Sequence, residues 1–123
     1  MWSKLEPIFE AQGLPYSRQG SYSDDDELPP SFFTFWNVDT PENGYYDNKA
    51  HCAVWYWYIY FYTSDPAILY SKLDEFIRMC KEAGFIVEGK GKDIASGKPE
   101  YLGRYVPIKY VEQYNLLGGN ENE

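Results

Sequence analysis

One stretch of this chain constrains its fold more than any other. Residues 50–63 read Ala-His-Cys-Ala-Val-Trp-Tyr-Trp-Tyr-Ile-Tyr-Phe-Tyr-Thr, without a single Lys, Arg, Asp or Glu. Along a β-strand, successive side chains point to opposite faces. One face then carries His51, Ala53, Trp55, Trp57, Ile59 and Phe61, and the other Cys52, Val54, Tyr56, Tyr58, Tyr60 and Tyr62. The first set is the core face. The second is a tyrosine ladder, suited to a half-wet surface or a partner, because a phenol buries apolar area yet keeps a hydroxyl that needs water or an acceptor. An uncharged strand of this kind aggregates if left at a naked edge, so it is expected at the centre of a sheet or under cover. Its apolar run is too short to cross a bilayer as a helix, and no membrane partner is expected.

The other elements fall into place around that strand. The spacing of Leu5, Ile8, Phe9 and Gln12 predicts a short helix over residues 2–12, starting near Ser3 to Pro7 because proline is tolerated in the first turn, and closed by Gly13. Leu14-Pro15-Tyr16 reads as extended, and residues 19–30 as a loop with an acidic run, Asp24-Asp25-Asp26-Glu27. Phe32 to Val38 is aromatic and β-branched and predicts a strand. Residues 39–49 are polar and hold Asn43-Gly44, a strong hairpin signal that tips a long hairpin arm. Asp65-Pro66 opens a second helix whose stripe is Leu69, Leu73, Phe76, Ile77 and Cys80, and Gly84 ends it. A short strand at residues 85–88, a glycine- and lysine-rich loop at 89–99 and a last strand at 101–110 follow, with Pro107 at a bulge or edge position. The expected fold class is α+β: a mainly antiparallel sheet with a long hairpin arm and helices packed on one face. At 123 residues one domain is expected, over residues 1–115, with 116–123 as a flexible tail.

Charge and reactive residues narrow the function classes. A net charge of −8 argues against direct nucleic-acid readout, which needs a basic footprint. Lys90, Lys92, Lys98, Arg104 and Lys109 form a local cationic excess, interrupted by Asp93 and Glu100, that reads as a mixed solvated surface. Cys52 and Cys80 fit no metal or redox spacing and are expected as small, reduced, buried hydrophobes, the default in a cytoplasmic setting. The first residues are followed by no apolar core of a signal peptide. The single histidine, His51, has no sequence-local Asp or Cys arranged as a triad, and strand neighbours His51 and Cys52 point apart. Gly89-Lys90-Gly91-Lys92 lacks phosphate-loop spacing, and the four acids of residues 24–27 lack the alternation and glycine turn of a calcium loop. No catalytic residue, cofactor or metal is expected, and with 13 Tyr the chain reads as a protein that docks onto other proteins.

Several local patterns resemble one family. They are the proline-bounded strand Pro29-Pro30-Ser31-Phe32-Phe33-Thr34-Phe35-Trp36, the turn Tyr45-Tyr46-Asp47-Asn48-Lys49, and the aromatic strand ending Tyr60-Phe61-Tyr62-Thr63 before Ser64-Asp65-Pro66. The helix exit Glu82-Ala83-Gly84-Phe85 and the closing strand from Tyr101 to Tyr110 complete the set. Over roughly residues 5–112 the chain resembles the tail-terminator, or tail-completion, proteins of long-tailed bacteriophages. It departs from them at Tyr46, where a small residue is usual, and at Pro107. The resemblance implies a homohexameric ring that caps the tail tube and joins it to the head connector, assembled in the host or lysogen cytoplasm and then part of the virion tail. Tube protein, connector protein and other copies of the chain are the implied partners. Tyr56, Tyr58, Tyr60 and Tyr62 are candidates for the ring interface, with packing under a helix of the same subunit as the rival role. Glu42, Asn43, Gly44, Tyr45, Tyr46, Asp47 and Asn48 are candidates for an arm that reaches a partner. An adaptor module binding one protein through the same aromatic surface is the alternative, and a small enzyme with an acidic site a third.

Overall fold

The computed structural model describes residues 1–21, 27–44 and 49–114. Asp24, Asp25 and Asp26 of the acidic run, Tyr45, Tyr46, Asp47 and Asn48 of the arm, and the tail at 116–123 lie outside the described residues. In chain order the elements are α1 (Trp2–Gln12), β1 (Tyr16–Arg18), β2 (Ser31–Asp39), β3 (Glu42–Asn43), β4 (Cys52–Thr63), a 3₁₀ turn (Pro66–Ile68), α2 (Leu69–Glu82), β5 (Ile86–Val87), β6 (Lys92–Ile94) and β7 (Leu102–Gln113). The protein is α+β. Its seven described strands form one sheet in the order β1-β2-β4-β7-β5, with β3 beside β4 and β6 beside β7. Every pairing is antiparallel except β1 with β2.

The uncharged strand is the centre of this sheet. β4 pairs with β2 from Ser31↔Thr63 to Asp39↔Tyr56, and with β7 along its whole length, from Thr63↔Leu102 to Cys52↔Gln113. Both of its edges are therefore hydrogen-bonded, which removes the aggregation hazard of such a sequence. Ala53, Trp57, Ile59, Phe61 and Thr63 are buried, as their parity requires. Trp57, Ile59 and Phe61 join one core with Phe33 and Phe35 of β2, Val106 and Ile108 of β7, Leu5, Ile8 and Phe9 of α1, and the α2 stripe. Ring contacts knit it: Phe76 lies 5.0 Å from Phe9 and 5.2 Å from Phe33, and Phe33 4.7 Å from Phe61.

Each helix has a local reason to start and stop. α1 begins at Trp2, ahead of the expected start, which leaves Pro7 in the second turn. Packing offsets the lost backbone bond: Trp2 sits 4.8 Å from Phe35 and 6.1 Å from Phe9, so the first turn is held by tertiary contacts. Gly13, at φ 71°, closes α1 by donating to the Glu10 carbonyl. Before α2, the Asp65 carboxylate accepts from the Ala67 N–H at 3.0 Å, and the Asp65 N–H donates to Thr63 Oγ1 at 3.0 Å. Burial pushes the Cys80 thiol up to about 12, so this cysteine is a core hydrophobe.

Three short strands depart from the sequence reading, and each is fixed by a distant partner. β1 lies along β2, with the Gln19 N–H donating to the Phe35 carbonyl at 2.8 Å. β3 continues the β2 side of the hairpin after the shift between Asn37 and Asp39, where Asn37 Nδ2 donates to the Tyr56 carbonyl at 3.0 Å. β6 forms inside the stretch expected to be loop. Arg104 holds it: the guanidinium pairs with Asp93 at 2.6 Å, donates to the Lys90 and Gly91 carbonyls and covers the Tyr70 ring at 4.8 Å. Hydrogen bonds from Arg104 and Tyr70 hold the Asp93 carboxyl below its usual range. Gly91 approaches β7 so closely that a Cβ there would lie 2.3 Å from the Tyr105 carbonyl oxygen. Pro107 falls between the β7 residues paired with β6 and those paired with β5, where a missing N–H costs no cross-strand bond.

Phe76 is fully buried between both helices' apolar residues and β2. Phe76→Ala is expected to lower the unfolding free energy by about 3–5 kcal/mol, measured by urea denaturation at equilibrium.

Candidate functional site

The core accounts for one face of the sheet. On the other, alternation along β4 and its neighbours brings a continuous set of side chains together. Tyr58 stands opposite Trp36 of β2 and Pro107 of β7; Tyr60 stands opposite Thr34 and Tyr105; Tyr62 opposite Phe32 and Gly103; Tyr56 opposite Asp39 and Lys109. Ile86 of β5 extends the face beyond Lys109. Trp36, Tyr56, Tyr58 and Ile86 are large apolar or aromatic side chains exposed at 48%, 37%, 37% and 44%. The buried residues of α1 and α2 pack in one cluster with Trp57, Ile59 and Phe61, the β4 side chains of opposite parity to the ladder.

The rings hold one another in place. Tyr60 stacks on Tyr62 at 6.3 Å and on Tyr105 at 5.8 Å, and Tyr58 meets Tyr105 edge-on at 5.5 Å. The Lys92 ammonium lies 5.5 Å above the Tyr105 ring. Burial, with smaller contributions from Tyr58 and Tyr105, raises the Tyr60 phenol above its ordinary pKa; burial raises Tyr62 too, against a hydrogen bond from Gln19 that lowers it. These hydroxyls stay protonated at neutral pH and act as hydrogen-bond donors and acceptors, not as charges. Ring packing on a sheet leaves little side-chain freedom to lose on contact, which suits the face to docking. Two shallow features border it. At one end is a groove lined by Tyr56, Ile86, Glu88, Pro107 and Lys109. At the other is a pocket that includes Phe32, Thr34, Tyr62, Lys98 and Tyr101.

The arm candidates separate. Glu42 and Asn43 are held in the sheet by pairing with Ala53 and Cys52, and Tyr114 donates to the Glu42 carboxylate at 2.6 Å. That bond pushes the Tyr114 phenol up to about 12. Gly44 turns away at φ 69°, and Tyr45, Tyr46, Asp47 and Asn48 lie outside the described residues. Among the described residues no group of three or more His, Cys, Asp and Glu side chains is placed to hold a metal ion, and no helix is long and apolar enough to cross a membrane.

The ladder was readable from parity alone. Trp36, Tyr105, Pro107 and Ile86 were missed as members of the same surface. Their own strands carry the two-residue period, but only the cross-strand register puts them beside the ladder. No protein-family model matches the chain, and no curated protein matches it.

A surface tyrosine with only ring neighbours contributes little to folding. Tyr58→Ser is expected to cost about 1 kcal/mol in the urea unfolding experiment that reads Phe76→Ala.

Proposed function

We propose that the protein is a structural assembly protein of the tail-terminator kind: copies of it close into a ring, a hexamer by the family resemblance, that caps the tail tube and joins it to the head connector. One observation carries this reading. The sheet leaves one face uncovered by its own helices, and that face is built from mutually packed aromatic rings with few charges. A monomeric soluble protein rarely leaves such a patch bare without an interaction to fill it. Tyrosine and tryptophan supply contact area at modest entropic cost and dominate the energetics of protein interfaces. A ring requires a heterologous contact that closes after a fixed number of copies, and a rigid face on a rigid sheet gives the constant angle that closure needs. The element order and the patterns that resemble those of tail-completion proteins suggest the kind of ring. Assembly would take place in the host or lysogen cytoplasm, before the protein joins the virion tail.

The test is absolute mass by light scattering over a wide concentration range, with negative-stain images of the largest species. A closed six-fold ring supports the proposal. A strict monomer that captures one partner through the same face moves the protein to the adaptor reading. The double variant Tyr58→Ser/Tyr60→Ser is expected to remain folded by circular dichroism and to lose the ring, leaving monomer at every concentration. If the double variant unfolds, the face is structural and the interface assignment fails.

Ionic strength gives a second check. Each copy carries a net charge of −8, so copies repel one another at long range and the contact face itself is nearly neutral. Raising salt from about 0.05 M to about 0.5 M is expected to strengthen self-association, read as a shift of the light-scattering transition to lower protein concentration. Docking onto a basic partner would weaken under the same change.

A further inference from the structure

A second site lies away from the tyrosine face, on the helix side of the sheet. A half-open cavity of about 450 Å³ is lined by Met1, Trp2, Arg18, Phe35, Trp55 and Trp57. Its walls are aromatic and brace one another. Trp55 and Trp57 stack at 6.2 Å with an 11° interplanar angle; Trp2 lies 4.8 Å from Phe35 and 6.1 Å from Trp57. Such walls resist collapse, and the size falls in the range of small-molecule sites.

The polar groups at this cavity are all donors. Arg18 is exposed, its guanidinium 5.4 Å above the Phe35 ring, and it enters no ion pair among the described residues. The Trp55 indole N–H is already used, donating to Glu112 at 3.0 Å. The Trp57 indole N–H is buried and has no acceptor. Apart from the weakly accepting Met1 sulfur, no side chain lining the cavity accepts a hydrogen bond. The complement to an aromatic slot with a guanidinium at its edge is a planar apolar body that carries a negative charge.

We infer that this cavity binds a small apolar carboxylate, of the arylalkanoate class. The carboxylate pairs with Arg18, whose planar fork matches it in geometry and charge. The ring inserts among Trp2, Phe35 and the Trp55–Trp57 stack. The site is separate from the tyrosine face, so it stands whether or not the ring reading does.

The probe is 3-phenylpropionate, titrated into the full chain while the indole N–H signals of the four tryptophans are followed by proton–nitrogen NMR, each assigned from a Trp→Phe variant. Saturable shifts of the Trp2, Trp55 and Trp57 signals are expected, with a dissociation constant on the order of 0.1–1 mM. Trp36, on the other face, is expected to stay in place. The uncharged 3-phenylpropionamide is expected to bind at least tenfold more weakly, and Arg18→Gln to weaken the acid at least tenfold. Because Arg18 is exposed, that variant keeps the fold, which the unshifted signals of the remaining residues verify. The inference is overturned if no saturable shift appears up to about 20 mM acid, or if acid and amide bind equally, or if Arg18→Gln binds as the parent does. A short peptide ending in phenylalanine that binds where the free acid does not would also overturn it, and make the cavity a peptide site.

Discussion

The pairing of β4 on both edges is the interaction on which the other parts of the structure depend. β4 takes β2 on one side and β7 on the other, so a strand without a single charge never meets water along its backbone. Once it is central, its two-residue period divides the molecule. Trp57, Ile59 and Phe61 recruit Phe33, Phe35, Val106 and both helices into the core, and the four tyrosines are turned to the opposite side. A slip of one residue in either pairing would bury the phenols and expose the core side chains, so the hydrophobic pattern and the register enforce each other. Fold and candidate surface are two results of one constraint.

Much of this was legible in residue order, and the limits have physical causes. The core face of β4, the apolar stripe of α2 and the cap at Asp65 are local patterns, read from side-chain periodicity and short-range hydrogen bonding. β1 and β6 were not legible as strands, because their hydrogen bonds come from β2 and β7, far along the chain. Pro7 misled the helix start, since nothing near it in sequence announces that Trp2 packs on Phe35. The tyrosine ladder was legible, but its breadth was not: Trp36 and Tyr105 become its neighbours only through register. The tryptophan cavity draws its walls from α1, β1, β2 and β4 at once, and no window of sequence contains it.

The two candidate surfaces divide the aromatic residues by chemical type. The open face is mainly tyrosine, whose hydroxyls tolerate water before a partner arrives and offer hydrogen bonds afterwards. The cavity is mainly tryptophan, with Arg18 at its edge. A flat, weakly charged face suits a large rigid partner, and a walled slot suits a small ligand or a single inserted group. The Arg104 clasp lies in neither surface. It pins β6 beside β7 and so holds Lys92 over Tyr105, which links the stiffness of the tyrosine face to an ion pair on the far side of the sheet.

The whole-length pairing of β4 with β7 also has a consequence in time. β7 follows β4 by nearly forty residues, so a nascent chain emerging from the ribosome presents β4 with only β2 and β3 to pair with and its other edge bare. That edge is uncharged and rich in aromatics, which is the kind of strand that finds the wrong partner when left waiting. The interval is spent making α2, whose apolar stripe can cover the core side of the half-built sheet before β7 closes it. A chain stopped before β7 would keep that edge bare, a template for aggregation instead of a smaller domain.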